Sequence, residues 1–261
     1  SSGDAQQYAM NRLRYLAGLA ALLFAGHAAP QATGRIAIII DDLGYQYAAG
    51  QRAISLPGPV SYAILPSTPS GQVLARSAKE QGKEVLLHLP LQAIDHDGEI
   101  EPGGITLDMS RDAFREAFNA ALASVPYAIG VSSHRGSLLT RHPGHMRWLM
   151  QAIAHRGLFF IDSYTTADSV ALQIAAESGV AATRRHVFLD HDRSVQAMTR
   201  EFERLEQIAL QQGVAIAIGH PYPETLGFLE LRLAELDKSR VRLIPISEAL
   251  NTVEPGHASE L

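Results

Sequence analysis

Aliphatic runs alternate with amphipathic stretches from Arg35 to about residue 250. The first run, Ile36 to Ile40, has no polar interruption. Such a run predicts a strand covered on both faces, as in a parallel sheet. Similar runs predict strands at 60–65, 84–88, 128–132, 158–161, 185–189, 214–218 and 241–246. The segments between them have helical spacing. Met198, Phe202, Leu205 and Ala209 form one such apolar stripe, and Val73, Leu74 and Ala78 another. Helices are predicted over 47–55, 70–81, 110–124, 144–156, 169–178, 194–212 and 223–236. Ser110 supplies an N-cap, and Gly82, Gly157, Gly179 and Gly213 supply stops. Leu89-Pro90 is expected to end the third strand, and 95–104 is loop, crowded with Asp, Gly and Pro. Strict alternation of strand and helix argues a parallel sheet with right-handed crossovers. Seven or eight βα units of about 30 residues each point to a (β/α) barrel rather than an open sheet.

Length and composition fit one large α/β domain over residues 35–250, since 46% of the 261 residues are apolar. Residues 1–34 read as a secretory signal peptide and linker. Arg12 and Arg14 form a basic n-region, Tyr15–Ala25 a short apolar stretch, and Gly26-His27-Ala28 a small-residue cleavage site. An uncleaved anchor is the alternative. The expected location is periplasmic or secreted, and the tail at 251–261 is expected to fray. After the first 30 residues no window is long and apolar enough to span a bilayer. A net charge of −5 argues against a nucleic-acid partner, which wants basic patches. There is no cysteine, so any metal must be held by histidines and carboxylates.

Polar residues able to bind a metal or move a proton recur at strand ends. Asp41 and Asp42 follow the first strand, and two adjacent carboxylates call for a cation, a shared proton or full solvation. His88 ends the third strand, His134 follows the fourth, Asp162 the fifth and His220 the seventh. In a barrel these ends converge on one mouth. Two histidines and a carboxylate with open positions make a common hydrolytic or redox metal set, and zinc in such a set brings a bound water to a pKa of about 7. Each residue also has a bland reading: His88 as a hydrogen-bonded core histidine, Asp162 as a turn residue, His220 as part of a rigid turn. Asp190-His191-Asp192 is a rival cluster at a strand end. His96 with Asp95 and Asp97 reads as a solvated loop. His142, His145, His155, His186 and His191 read as surface residues.

The order of motifs resembles the divergent polysaccharide deacetylases, a branch of the carbohydrate-esterase superfamily that folds as an irregular (β/α) barrel. The carriers are Ile-Ile-Ile-Asp-Asp-Leu-Gly (38–44), Glu-Val-Leu-Leu-His-Leu-Pro-Leu (84–91) and Gly-Val-Ser-Ser-His-Arg-Gly-Ser (130–137). Phe-Phe-Ile-Asp-Ser (159–163), Val-Phe-Leu-Asp (187–190) and Ala-Ile-Gly-His-Pro-Tyr-Pro-Glu-Thr-Leu (217–226) complete them. The resemblance implies Asp41 as catalytic base, and Asp42, His88 and His134 as ligands of a divalent metal, Zn²⁺ or similar. It implies His220 as the late catalytic histidine. In a metal-dependent hydrolase built on these residues, Asp162 is expected to orient one of these groups. Arg135 and Tyr222 are the substrate-binding candidates, Arg135 standing in for the arginine that orients the base. The sequence departs from the family at Gln92, where a second histidine is usual, and at Ser132 and Ser133, where two asparagines are usual. The implied function is an exported, metal-dependent hydrolase removing N- or O-acetyl groups from a polysaccharide or cell-wall glycan. The alternative is a non-catalytic carbohydrate-binding or envelope-assembly protein on the same barrel.

Overall fold

The structure, a computed structural model, describes residues 34–95 and 100–250, with only the backbone at Asp237. The expected signal segment, the His96–Asp97 pair and the expected frayed tail lie outside the described residues.

The described residues form nine strands: β1 (Gly34–Leu43), β2 (Ser61–Ile64), β3 (Val85–Leu91), β4 (Ala128–Arg135), β5 (Phe159–Asp162), β6 (Ala182–Arg184), β7 (Val187–Phe188), β8 (Val214–Gly219) and β9 (Val241–Leu243). The helices are α1 (Tyr47–Ile54), α2 (Gly71–Glu80), α3 (Arg111–Ser124), α4 (Pro143–His155), α5 (Ala171–Glu177), α6 (Val195–Gln212), α7 (Pro223–Ala234) and α8 (Ile246–Leu250). The hydroxyls of Ser110 and Ser194 accept from the N–H groups of Ala113 and Ala197, capping α3 and α6. No helix among the described residues is long and apolar enough to cross a membrane.

All ladders are parallel, in the order β6-β5-β4-β3-β2-β1-β8-β7. The two edge strands, β6 and β7, are separated in the chain by Arg185 and His186 alone. Two residues bridge only about 11 Å, so the sheet must curve until its edges meet. The linker itself joins the seam: the Arg185 N–H donates to the Asp162 carbonyl, and the His186 N–H to the Ile216 carbonyl. His186 Nδ1 accepts from the Ile216 N–H at 3.1 Å. Burial holds the His186 imidazole below its ordinary pKa, which favours the neutral acceptor this bond requires. His186 is therefore a half-buried brace, not the surface residue its sequence context suggests.

The segment expected as one strand at 185–189 is thus two short strands broken at the seam. β3 continues through Pro90 instead of stopping there. β2 ends opposite Leu87, so the ladder needs no N–H from Pro90. The expected last strand stops at Leu243, and Ile246–Leu250 turns into α8 under the barrel.

Alternation along the strands divides the core in two. Ile36, Ile38 and Ile40 face out and pack with the helices. Ala37 and Ile39 face in, with Leu86, Ile161, Ile216 and Ile218, and α8 closes the floor beneath them through Ile246, Ala249 and Leu250. This inward row fixes where the polar strand ends point.

The turn after β1 depends on Gly44. Its φ is +136°, and a Cβ there would meet Thr68 Oγ1 at 2.1 Å and Thr68 Cβ at 2.8 Å. Thr68 cannot rotate clear of both contacts, and its hydroxyl donates to the Leu65 carbonyl. Gly44→Ala is expected to destabilise the fold by about 3 kcal/mol, combining backbone strain with overpacking. Urea unfolding checks this; a change below about 0.5 kcal/mol would mean the turn relaxes freely.

Candidate functional site

A strand has period two, so the residue two beyond the last inward apolar residue also points into the mouth. From Ile39 this rule leads to Asp41, from Leu86 to His88 and from Ile218 to His220. On β4, Ser132 pairs with His88, and His134 lies two further on. Four strands therefore place four functional side chains in one opening.

Asp42 is one residue out of phase and would point away in a regular strand. The β1 register shifts between Ile40 and Leu43, and Asp42 has φ +61°. A bulge with one left-handed residue re-aims the side chain, and aspartate tolerates that conformation better than most residues. Both carboxylates consequently reach the same imidazole: His88 Nε2 lies 3.5 Å from Asp41 Oδ2 and 3.2 Å from Asp42 Oδ1.

Asp42 Oδ1, His88 Nε2 and His134 Nδ1 form a compact triangle. His134 Nδ1 stands 3.0 Å from Asp42 Oδ1 and 3.1 Å from His88 Nε2. For a cation about 2.0–2.1 Å from each donor, neighbouring ligands stand roughly 3.3 Å apart in a tetrahedron and roughly 2.9 Å apart in an octahedron. The triangle fits either. Asp42 Oδ1 is buried and receives no hydrogen bond of adequate geometry despite its two imidazole neighbours. An orphaned carboxylate oxygen between two imidazole nitrogens is the arrangement a divalent cation would satisfy.

The supporting bonds are specific. His88 Nδ1 is 2.7 Å from the Ser132 hydroxyl, which leaves Nε2 facing the triangle. His134 Nε2 is 3.3 Å from Glu101 Oε1, and Arg135 Nε donates to the same oxygen at 3.0 Å. Arg135 thus stands at the exposed rim with Glu101. Gln92 turns away from the site: its side-chain oxygen accepts from the Leu107 N–H, and its carbonyl accepts from Leu138 and Leu139. It pins loops together and leaves His134, from the next strand, as the second imidazole.

His220 sits across the mouth, with Nε2 3.8 Å from Asp42 Oδ2. Its partner is Asp190, whose side chain is wholly buried. Asp190 Oδ1 accepts from His220 Nδ1 at 2.9 Å, and Oδ2 accepts from the His220 N–H at 2.7 Å and the Thr225 hydroxyl at 2.8 Å. The rival cluster therefore feeds the main site. Phe188 pairs with the inward Ile218, and Asp190 is two residues beyond it. His191 and Asp192 are exposed.

Asp162 does not meet these residues. Ile161 faces in, so Asp162 faces the other side of β5. It is buried and accepts from the Tyr164 N–H at 2.8 Å and the Ser169 hydroxyl at 2.7 Å, with the Ser133 hydroxyl at 3.5 Å. Among the described residues the carboxylate bonded to a histidine of the mouth is Asp190, not Asp162. Arg185, in the seam, donates to the carbonyls of Ser163 and Tyr164, and burial lowers it below the ordinary guanidinium range, with the Asp162 and Asp41 carboxylates opposing that shift.

The electrostatics separate the two adjacent aspartates. Burial drives Asp41 above the ordinary carboxylate range, although His88 and His220 oppose it. Burial also acts on Asp42, but His134 and His88 more than reverse it and hold that carboxyl well below its usual range. Burial lowers His134 and His220, yet both end above the ordinary imidazole value, His134 through Asp42 and Glu101, His220 through Asp190. The two adjacent carboxyls are thereby shifted in opposite directions, Asp42 toward the anion and Asp41 toward higher basicity.

Beside the triangle opens a cavity of about 280 Å³, lined by Asp42, Tyr45, Gln46, His220, Pro221 and Tyr222. Tyr45 is 51% exposed, whereas the Tyr222 ring lies under the Arg193 guanidinium, 4.8 Å from its centroid, and beside the His220 ring at 5.6 Å.

The sequence is 38% identical over 205 residues to an uncharacterized protein of Haemophilus influenzae, covering 78% of this chain and 73% of that one. It is 33% identical over 222 residues to the uncharacterized protein YibQ of Escherichia coli, covering 85% and 69%. The fold superposes on the crystal structure of an uncharacterized protein from Agrobacterium tumefaciens with a TM-score of 0.80 at 24% identity, over 83% of this chain and 89% of that one. The sequence profile of the divergent polysaccharide deacetylases matches residues 38–250. The chain belongs to the divergent polysaccharide deacetylase family.

Proposed function

We propose that the protein is a metal-dependent hydrolase that removes acetyl groups from an envelope glycan, outside the cytoplasm. The observation that carries this reading is the triangle of Asp42, His88 and His134, with all three donor atoms within 3.2 Å of one another, beside the buried Asp41 and a partly buried His220 bonded to the buried Asp190. Zinc is the ion we assign, because the donor set is two imidazoles and one carboxylate with open positions. A divalent ion so held supplies a Lewis acid for the acyl carbonyl and brings a water within reach of deprotonation near neutral pH.

The chain's own groups do the rest. Asp41, with its raised pKa, takes the proton from the attacking water. His220 presents Nε2 to the leaving amine or alkoxide and gives it a proton, while Asp190 holds Nδ1 and favours the charged imidazole. Tyr45 offers a ring face to the apolar side of a sugar, and Tyr222, stacked with Arg193 and packed on His220, forms the wall beside it. Arg135, fixed by Glu101, offers donors at the rim.

The test is acetate release from acetylated chitin oligomers and peptidoglycan fragments, with the protein loaded with zinc or stripped of it. Release that depends on zinc supports the proposal. Stoichiometric zinc with no release from either substrate favours the non-catalytic alternative.

Metal uptake should depend on pH in a definite direction. Without an ion, His134 holds its proton to a higher pH than a free imidazole, so proton and cation compete there. Zinc affinity is expected to fall about tenfold per pH unit below that pKa and to level off above it. Zinc titrations between about pH 5.5 and about pH 8 check this. An affinity that stays flat across that range removes His134 from the ligand set.

A further inference from the structure

A larger cavity lies away from the mouth, between α3 and α4 on the outer wall of the barrel. It measures about 550 Å³, within the range of roughly 300–1,000 Å³ usual for ligand sites. Helical spacing puts Arg111, Arg115 and Asn119 on one face of α3, and Trp148, Ala152 and His155 on the facing side of α4, with Arg156 just beyond. Each end is tied by one bond: Arg111 Nη2 donates to Gln151 at 3.1 Å, and Arg156 Nη2 to Asn119 at 2.7 Å. Only one nitrogen of each guanidinium is used, so most of each donor fork stays available. The ends are about 12 Å apart along α3, from the helical rise over eight residues.

Between those ends sits Trp148, half-buried, with Phe114 edge-on at 5.8 Å and His145 at 4.7 Å. Its indole N–H has no hydrogen-bond partner among the described residues. Arginine 115 reaches only the exposed Asp112, at 3.0 Å. Three arginines face one carboxylate here, on a chain of net charge −5. An aromatic plate with a free donor, flanked by guanidinium forks, matches a ligand with an apolar ring face, hydroxyls and carboxylates.

We propose that this cleft is a second glycan-binding site, taking an oligosaccharide that carries carboxylate groups. The choice of a glycan rests on the function proposed above. Arg111 opens the helix that follows the loop carrying Glu101, so a strand held in the cleft begins at the level of the mouth and runs down the wall. The site grips the polymer while the mouth acts on it.

Trp148 is the only tryptophan in the chain, so tryptophan emission reports on this cleft directly. The probe is a polygalacturonate oligomer, with its fully methyl-esterified form and poly-glutamate as comparisons. The acidic sugar is expected to shift Trp148 emission saturably. Arg115→Ala and Arg156→Ala should each weaken that response about tenfold, and the ester should give none. Both side chains are exposed, so neither change threatens the fold. No emission change with the acidic sugar overturns the site, and an equal response to poly-glutamate overturns its assignment to glycans. Zinc-dependent acetate release with silent emission sinks the cleft alone. A saturable, arginine-dependent emission change in a protein that releases no acetate sinks the catalytic reading alone.

Discussion

Asp42→Asn is expected to weaken zinc binding by more than about a hundredfold, beyond the loss usually seen when a mere supporting partner is removed. Zinc-dependent acetate release should fall by about 10³ or more, the equivalent of roughly 4 kcal/mol of lost Lewis-acid stabilisation. The substitution is chosen for what it leaves alone. Asp42 occupies a left-handed conformation at φ +61°, and asparagine accepts that backbone as readily as aspartate. The bulge in β1 therefore persists, while the charge and one ligand disappear. His88→Ala would be a poorer test. That ring is buried and bonded to Ser132, so its removal also opens a cavity and strands a hydroxyl. Metal analysis of the purified variant, alongside its melting temperature, gives the answer. A variant that still binds one zinc per chain with unchanged affinity removes Asp42 from the ligand set and leaves the triangle as a hydrogen-bond cluster.

The same alternation that builds the barrel explains which site residues the sequence makes legible. Asp41, His88 and His220 each follow an inward aliphatic residue by two positions, and the uninterrupted runs at 36–40 and 214–218 make those strands easy to find. Asp162 has the same look, a carboxylate after an apolar run, but it follows Ile161 by one position and faces the other way. Counting from the inward residue would have set it aside, and the same count from Phe188 selects Asp190 out of Asp190-His191-Asp192. Asp42 breaks that rule, because a bulge is invisible in a hydrophobic pattern and needs the pairing of Ile40 and Leu43 with β2 to show it. Glu101 lies in a loop with no period at all, so only the folded chain brings it to His134. The break at Arg185-His186 was hidden for a related reason. Strands of three and two residues are too short to carry a period, and the seam they form depends on their neighbours in the sheet, β5 and β8, which are distant in sequence from each other.

Asp190 carries the second large effect, because one buried carboxylate satisfies three donors. Asp190→Ala would leave the His220 N–H, the His220 Nδ1 proton and the Thr225 hydroxyl without their acceptor. A loss of about 3–5 kcal/mol is expected, enough to bring a domain of ordinary stability close to unfolding. Asp190→Asn separates chemistry from folding. Its oxygen can still accept from the His220 N–H and Thr225, so the fold survives, but its NH₂ then faces Nδ1. That nitrogen must become an acceptor, which disfavours the charged ring and leaves a neutral Nε2–H, a far weaker acid. His220 should titrate lower than in the parent protein, since the Asp190 carboxylate that opposes burial is gone. The rate of acetate release should drop by about 10²–10⁴ with little change in KM, and the limb of the pH–rate profile that follows the imidazolium should move to lower pH. Nitrogen chemical shifts of the ring would report the tautomer independently of turnover. An Asn variant with the parent rate and an unshifted profile would show that His220 moves no proton, and its bond to Asp190 would then serve only to tie β7 to β8 at the rim of the barrel.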